Sequence, residues 1–135
     1  LGEKTDAAVL DELYESHCKV MERSALGAMA FAQRYRDSVL ADSVLAASAK
    51  HHSVILLAGN GHVRKDRGVP WYIQQRSPDK KMLTILLVEA EEGKTEADAY
   101  IPKDAGGKPA ADYVIFTPRA ERKDPCEGMK AKKLE

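Results

Sequence analysis

The residues most able to do chemistry in this sequence gather around one turn, Gly59-Asn60-Gly61-His62, followed at once by Arg64, Lys65, Asp66 and Arg67. Histidine donates, accepts or ligates near neutral pH. Here it stands inside a rim of cations that would attract an anionic ligand. A second polar group, Gln33-Arg34-Tyr35-Arg36-Asp37, sets guanidinium, amide and phenol side by side. It reads either as a solvated helix face on which Arg34 and Asp37 pair one turn apart, or as a cluster directed into a cleft. Tyr72, just after Pro70-Trp71, offers another phenol. Several chemistries are excluded by spacing. The glycines match neither a dinucleotide fingerprint nor a phosphate-cradling loop. No Gly-x-Ser-x-Gly turn presents a nucleophile. One histidine in the loop supplies one ligand where a catalytic zinc takes three.

The elements that must position these groups are legible as pattern. Residues 54–58, Val-Ile-Leu-Leu-Ala, form an unbroken apolar run ending at the glycine turn. Such a run predicts a strand buried on both faces, and His62 would stand just past its C-terminal end, where open α/β sheets bind ligands. Pro70 fits the first turn of a helix through Gln74. Residues 82–88 predict a second buried strand, parallel to the first and adjacent or nearly so, with the Pro70 helix as its right-handed crossover. Residues 112–117 predict a third, shorter strand ended by Pro118. The acidic, then Gly- and Lys-rich stretch between them reads as a loop, with a brief extended piece at 99–101. Ahead of the sheet, Thr5-Asp6 would cap a helix over about 7–16. A long alanine-rich helix follows over about 22–50, kinked near Gly27 and outside the sheet core. His51-His52 fall at its C-terminal end.

The fold class expected is therefore α/β, a parallel sheet with flanking helices plus a helical subdomain. The divisions are a helical segment over 1–50, a sheet part over 51–118 and an irregular charged tail over 119–135. Three strands leave sheet edges that need neighbours, as if this were the C-terminal half of a larger fold. Lysine plus arginine and aspartate plus glutamate both total 21, so net charge predicts no general attraction to nucleic acid or anionic lipid. No apolar run is long enough to cross a bilayer. Cys18 and Cys126 belong to no metal-binding pattern and are either two separate thiols or one long-range disulfide.

The run Leu-Leu-Ala-Gly-Asn-Gly-His-Val-Arg-Lys-Asp-Arg-Gly-Val-Pro at 56–70 resembles the corresponding segment of the ChaN-like family, bacterial haem-binding lipoproteins linked to iron uptake. The Gln-Arg-x-Arg-Asp run at 33–37, the strand at 113–118 and Asp124-Pro125-Cys126 are similar as well. The resemblance extends from about 17 to 129 and implies non-covalent haem binding. There is no Cys-x-x-Cys-His, so covalent attachment is excluded. His62, Arg64, Asn60, Tyr35, Tyr72 and Arg34 are the cofactor-binding candidates, with Arg67 a further cation for the propionates. Tyr35, Tyr72 or His62 would meet the iron, the guess being a tyrosinate oriented by His62. The resemblance also implies a periplasmic or outer-membrane-anchored lipoprotein, a homodimer closing over the flat ligand, and a Cys18–Cys126 disulfide. An upstream Gly-Glu-x-His typical of the family is not matched, since Thr5 stands where its histidine would be. The alternative function is that of a hydrolase like the erythromycin-esterase and Tiki-type enzymes, using His62 at the sheet edge.

Overall fold

The computed structural model describes residues 2–124 and 126–128. Its elements in chain order are α1 (Glu3–Ser16), α2 (Arg23–Ser48), α3 (Val69–Arg76), β1 (Ile85–Glu89), a short 3-10 turn (Ala97–Tyr100) and β2 (Tyr113–Thr117). The architecture is mixed α/β, as the patterning predicts. The chain packs as two compact units, Leu1–Gln33 with Ala120–Glu135, and Arg34–Arg119.

In the first unit α1 begins after Gly2 at a φ of 102°, with no side-chain cap. The expected cap, Thr5-Asp6, lies instead within the first turns, where Glu3 and Asp6 suit the positive end of the helix dipole. Cys18 and Lys19 both take a φ of 59°, a left-handed pair that ends the helix. The Lys19 N–H closes that end by donating to the Tyr14 carbonyl at 3.0 Å. Left-handed backbone costs about 1–2 kcal/mol per non-glycine residue. At this turn Cys18 is bonded to Cys126, with Cα atoms 5.4 Å apart across a separation of 108 residues. The disulfide is therefore present. Pro125 and the tail beyond Gly128 lie outside the described residues.

The second unit is built on the C-terminal part of α2. Ala41 is fully buried against Val69 and Ile73 of α3, and Leu40, Val44, Leu45, Leu56, Tyr72 and Met82 pack around them. This corrects the expectation that the long helix stays outside the core: its second half is one wall of it. Arg76, in the last turn of α3, reaches back to α2 and donates to the Ser38 carbonyl at 2.8 Å, with Asp42 at 3.1 Å.

Two strand expectations change. β1 pairs in parallel with β2, in the register Ile85↔Tyr113, Leu87↔Ile115, Glu89↔Thr117. Residues 54–58 form no ladder among the described residues, although Leu56 packs into the core. Ile55 and Leu57 alternate with it and are 86% and 90% exposed. A uniformly apolar run signals that both faces are apolar, but it cannot supply a neighbour for each face. On β1 and β2 the same holds. Leu86 is fully buried, while Ile85, Leu87, Tyr113 and Ile115 share the opposite, exposed face. Residues 97–100 form a 3-10 turn, not an extended piece. Its Tyr100 hydroxyl accepts the Glu91 N–H at 2.8 Å and donates to the Lys94 carbonyl at 2.9 Å, while the ring stacks edge-on against Phe116. Helical coiling there is set by where the tyrosine must reach.

Candidate functional site

The loop after residue 58 is tied down at each step. His62 N–H donates to the Gly59 carbonyl at 2.9 Å and closes the turn. The Asn60 side-chain amide donates to the Leu87 carbonyl at 2.6 Å, satisfying an acceptor on β1 at an edge that no strand covers among the described residues. The Val69 N–H returns to the His62 carbonyl at 2.7 Å, and the Gly68 N–H to the Arg64 carbonyl at 2.9 Å. Gly68 is where the loop crosses itself. A Cβ there would lie 2.3 Å from the His62 carbonyl oxygen, so no other residue fits without moving the backbone. Pro70 sits in the first turn of α3, as expected.

The groups converge on Asp37. This residue lies on the buried face of α2, one turn before Ala41, and is 2% exposed. Its Oδ1 is 2.5 Å from His62 Nδ1. Burial pushes the Asp37 carboxyl above its usual range, because desolvation penalises the charged form. The hydrogen bond and charge of His62 and the nearby charge of Arg67 oppose that shift. The His62 side chain keeps 28% of its exposure. Its Nε2 makes no hydrogen bond to any described residue. The result is an imidazole anchored through Nδ1 on a side chain that is only partly buried, a residue type able to ligate a metal or accept a proton.

The other candidates are placed differently. Arg64 is buried, and its Nε and Nη2 bond both oxygens of Asp66 at 2.9 and 2.7 Å, with the Lys103 carbonyl at 3.1 Å from Nη2. It acts as a brace between the loop and the segment before β2. Arg67 is buried near Asp37. Asn60 is the staple to β1. Tyr35 is two residues from Asp37, which at 3.6 residues per turn sets it about 200° round the helix. Its ring is 64% exposed and directed away from the Asp37–His62 pair. Tyr72 packs edge-on against Trp71 at 4.9 Å and under the Arg76 guanidinium at 5.6 Å, in the α2–α3 core. Arg34 is half-buried one turn before Asp37. The structure thus joins His62 to Asp37, with Tyr72 in the α2–α3 core and Tyr35 exposed.

Asp37 is the residue that sequence reasoning missed. Its signal was present: Asp37, Ala41, Val44 and Leu45 follow one helical stripe, so the carboxylate lies in line with core positions. The nearby Arg34 invited a surface pairing instead.

Compared with known proteins, the chain matches a family model described as "Haem-binding uptake, Tiki superfamily, ChaN" over residues 2–73, just over half its length. The matched span takes in both residues of the Asp37–His62 pair. No curated protein and no solved structure matches it.

Proposed function

The chain belongs to the ChaN family of haem-binding uptake proteins in the Tiki superfamily, and from that premise we propose that it binds haem non-covalently at the Gly59–His62 loop, with His62 as the donor to iron. The observation that carries this reading is the imidazole itself. It is fixed through Nδ1 by a buried carboxylate, and its side chain is only partly buried. That donor set fits a haem iron, which takes an axial nitrogen ligand and whose binding sharpens when a carboxylate orients that ligand. Bound haem would supply the iron centre and the Soret absorption. The chain's residues orient the donor and hold the loop: Asn60 fixes the turn to β1, Arg64 braces it through Asp66, and Arg34, one turn before Asp37 on α2, would be a cation for a propionate. Tyr35 and Tyr72 are the phenolate candidates for the same iron. The disulfide supports an oxidising compartment, in keeping with a periplasmic or outer-membrane-anchored protein. Among the described residues no helix is long and apolar enough to cross a membrane.

Haemin titration of the wild type, His62→Ala, Tyr35→Phe and Tyr72→Phe tests the reading. A Soret band is expected in the wild type and both tyrosine variants, and its loss or shift in His62→Ala. No Soret band with wild type ends the haem reading; an unchanged band in His62→Ala ends the role of His62. The Asp37–His62 pair is also what a general base requires, so ester turnover lost in His62→Ala, without a Soret band, would establish the hydrolase alternative.

A further inference from the structure

We propose that Asp37 is the positioning residue of this site: from α2 it holds His62 as the Nδ1–H tautomer, so that the Nε2 lone pair is the one presented to the ligand. A neutral imidazole carries one N–H and one acceptor nitrogen, and the partner of the first decides the identity of the second. Asp37 Oδ1 is the partner, 2.5 Å from Nδ1, and an ionised carboxylate only accepts. The Nδ1–H therefore donates to it. The carboxylate is held rigidly, on a helix turn whose next turn carries the fully buried Ala41. The ring is held from its own side as well, because the His62 backbone is bonded at both N–H and carbonyl within the loop.

Burial makes the arrangement informative. A carboxylate 2% exposed loses hydration, and a packed apolar pair in its place is often neutral or more stable. Arg67 sits close enough to favour its charged form. The sequence thus keeps a carboxyl group at a core position of α2, and the side chain it bonds is His62. A carboxylate on Nδ1 also raises the basicity of Nε2, which favours ferric over ferrous iron. That last consequence rests on the haem reading; the tautomer does not.

Nitrogen-15 NMR of the haem-free protein at about pH 8, with labelled histidine, reads the tautomer directly. An Nδ1–H signal for His62 with an unprotonated Nε2 is expected. The Nε2–H tautomer, or a doubly protonated ring, overturns the proposal whether or not haem binds. In Asp37→Asn, whose amide can donate to Nδ1, the population should move toward Nε2–H. Haemin affinity should fall about 10- to 100-fold, and the haem reduction potential should rise. If this variant keeps the wild-type tautomer, Asp37 does not position the ring. Should Asp37→Asn fail to fold, the wild-type tautomer still decides. A wild type with the expected tautomer and no Soret band sinks the haem reading and leaves the positioning role standing.

Discussion

Gly68→Ala should unfasten the site without touching any of its functional side chains. The added methyl would lie 2.3 Å from the His62 carbonyl oxygen, 2.7 Å from its carbon and 2.9 Å from the Arg64 oxygen. Ordinary carbon–oxygen contact needs well over 3 Å, so the two backbone strands of the loop must part by about 1 Å. All three close atoms are main chain, and no side chain can swing aside. Parting by that much breaks the Val69-to-His62 and Gly68-to-Arg64 hydrogen bonds, now 2.7 and 2.9 Å. At about 0.5–1.5 kcal/mol each, these account for about 1–3 kcal/mol. Residual overpacking adds about 1–3 kcal/mol, for a total of about 2–6 kcal/mol. Because His62 is one of the displaced residues, its contact with Asp37 should loosen as well. Urea unfolding measures the first effect and the His62 ring signals the second. Gly27→Ala is the control: nothing lies within 4 Å of its would-be Cβ inside α2, so it should stabilise by about 0.5–1 kcal/mol. If Gly68→Ala is as stable as the wild type and leaves the His62 signals in place, the account of the loop crossing is wrong.

Two further outcomes follow from the second tier of contacts. Reducing Cys18–Cys126, which closes 108 residues, should cost about 5 kcal/mol in the chain-entropy model, concentrated in the first unit, where Val9, Cys18, Leu26 and Ala30 are the buried apolar residues. Equal urea midpoints with and without reductant, or unchanged amide protection in α1, would refute that. Asp112 accepts from Lys65 Nζ at 2.6 Å and from the Thr84 N–H at 2.8 Å, and the Lys65 bond does most to hold its carboxyl below the usual 3.8. A depressed carboxyl contributes stability above the unfolded value and loses it as pH falls through the folded one. Asp112→Asn should therefore be less stable than wild type by about 0.5–1.5 kcal/mol at neutral pH, the half-exposed lysine limiting the gain. The gap should close as pH falls below about 4, and a gap independent of pH would count against the pairing.

The helices were legible because their information is local. Alanine content, the lack of proline over residues 23–48 and Pro70 after a glycine define α2 and α3 to within a few residues. The glycine turn, its histidine and the helix beyond it were equally readable. Strand partnership was not. Residues 54–58 and 82–88 carry the same apolar signal, yet the ladder joins β1 to β2, a choice made by loop reach and by Asp112 fixing Thr84 at the start of the strand. The site split in the same way. His62 announced itself through its turn, whereas its partner lies 25 residues earlier on a different element. Arg64 and Tyr72 have the right chemistry for a ligand, but the carboxylate beside one and the core around the other are facts of three-dimensional packing.

The first unit is assembled from two pieces of chain, Leu1–Gln33 and Ala120–Glu135, with the whole of the second unit between them. During synthesis the second unit is complete before the first can be. At 5–20 residues per second the ribosome spends roughly 5–20 s on the intervening stretch. Throughout that wait Cys18 is a thiol whose partner has not been made. These 135 residues hold no third cysteine, so within them Cys18 has no other thiol to meet. Native pairing of Cys18 waits on the far end of the described chain, so an oxidant that reaches it earlier meets a thiol without its partner.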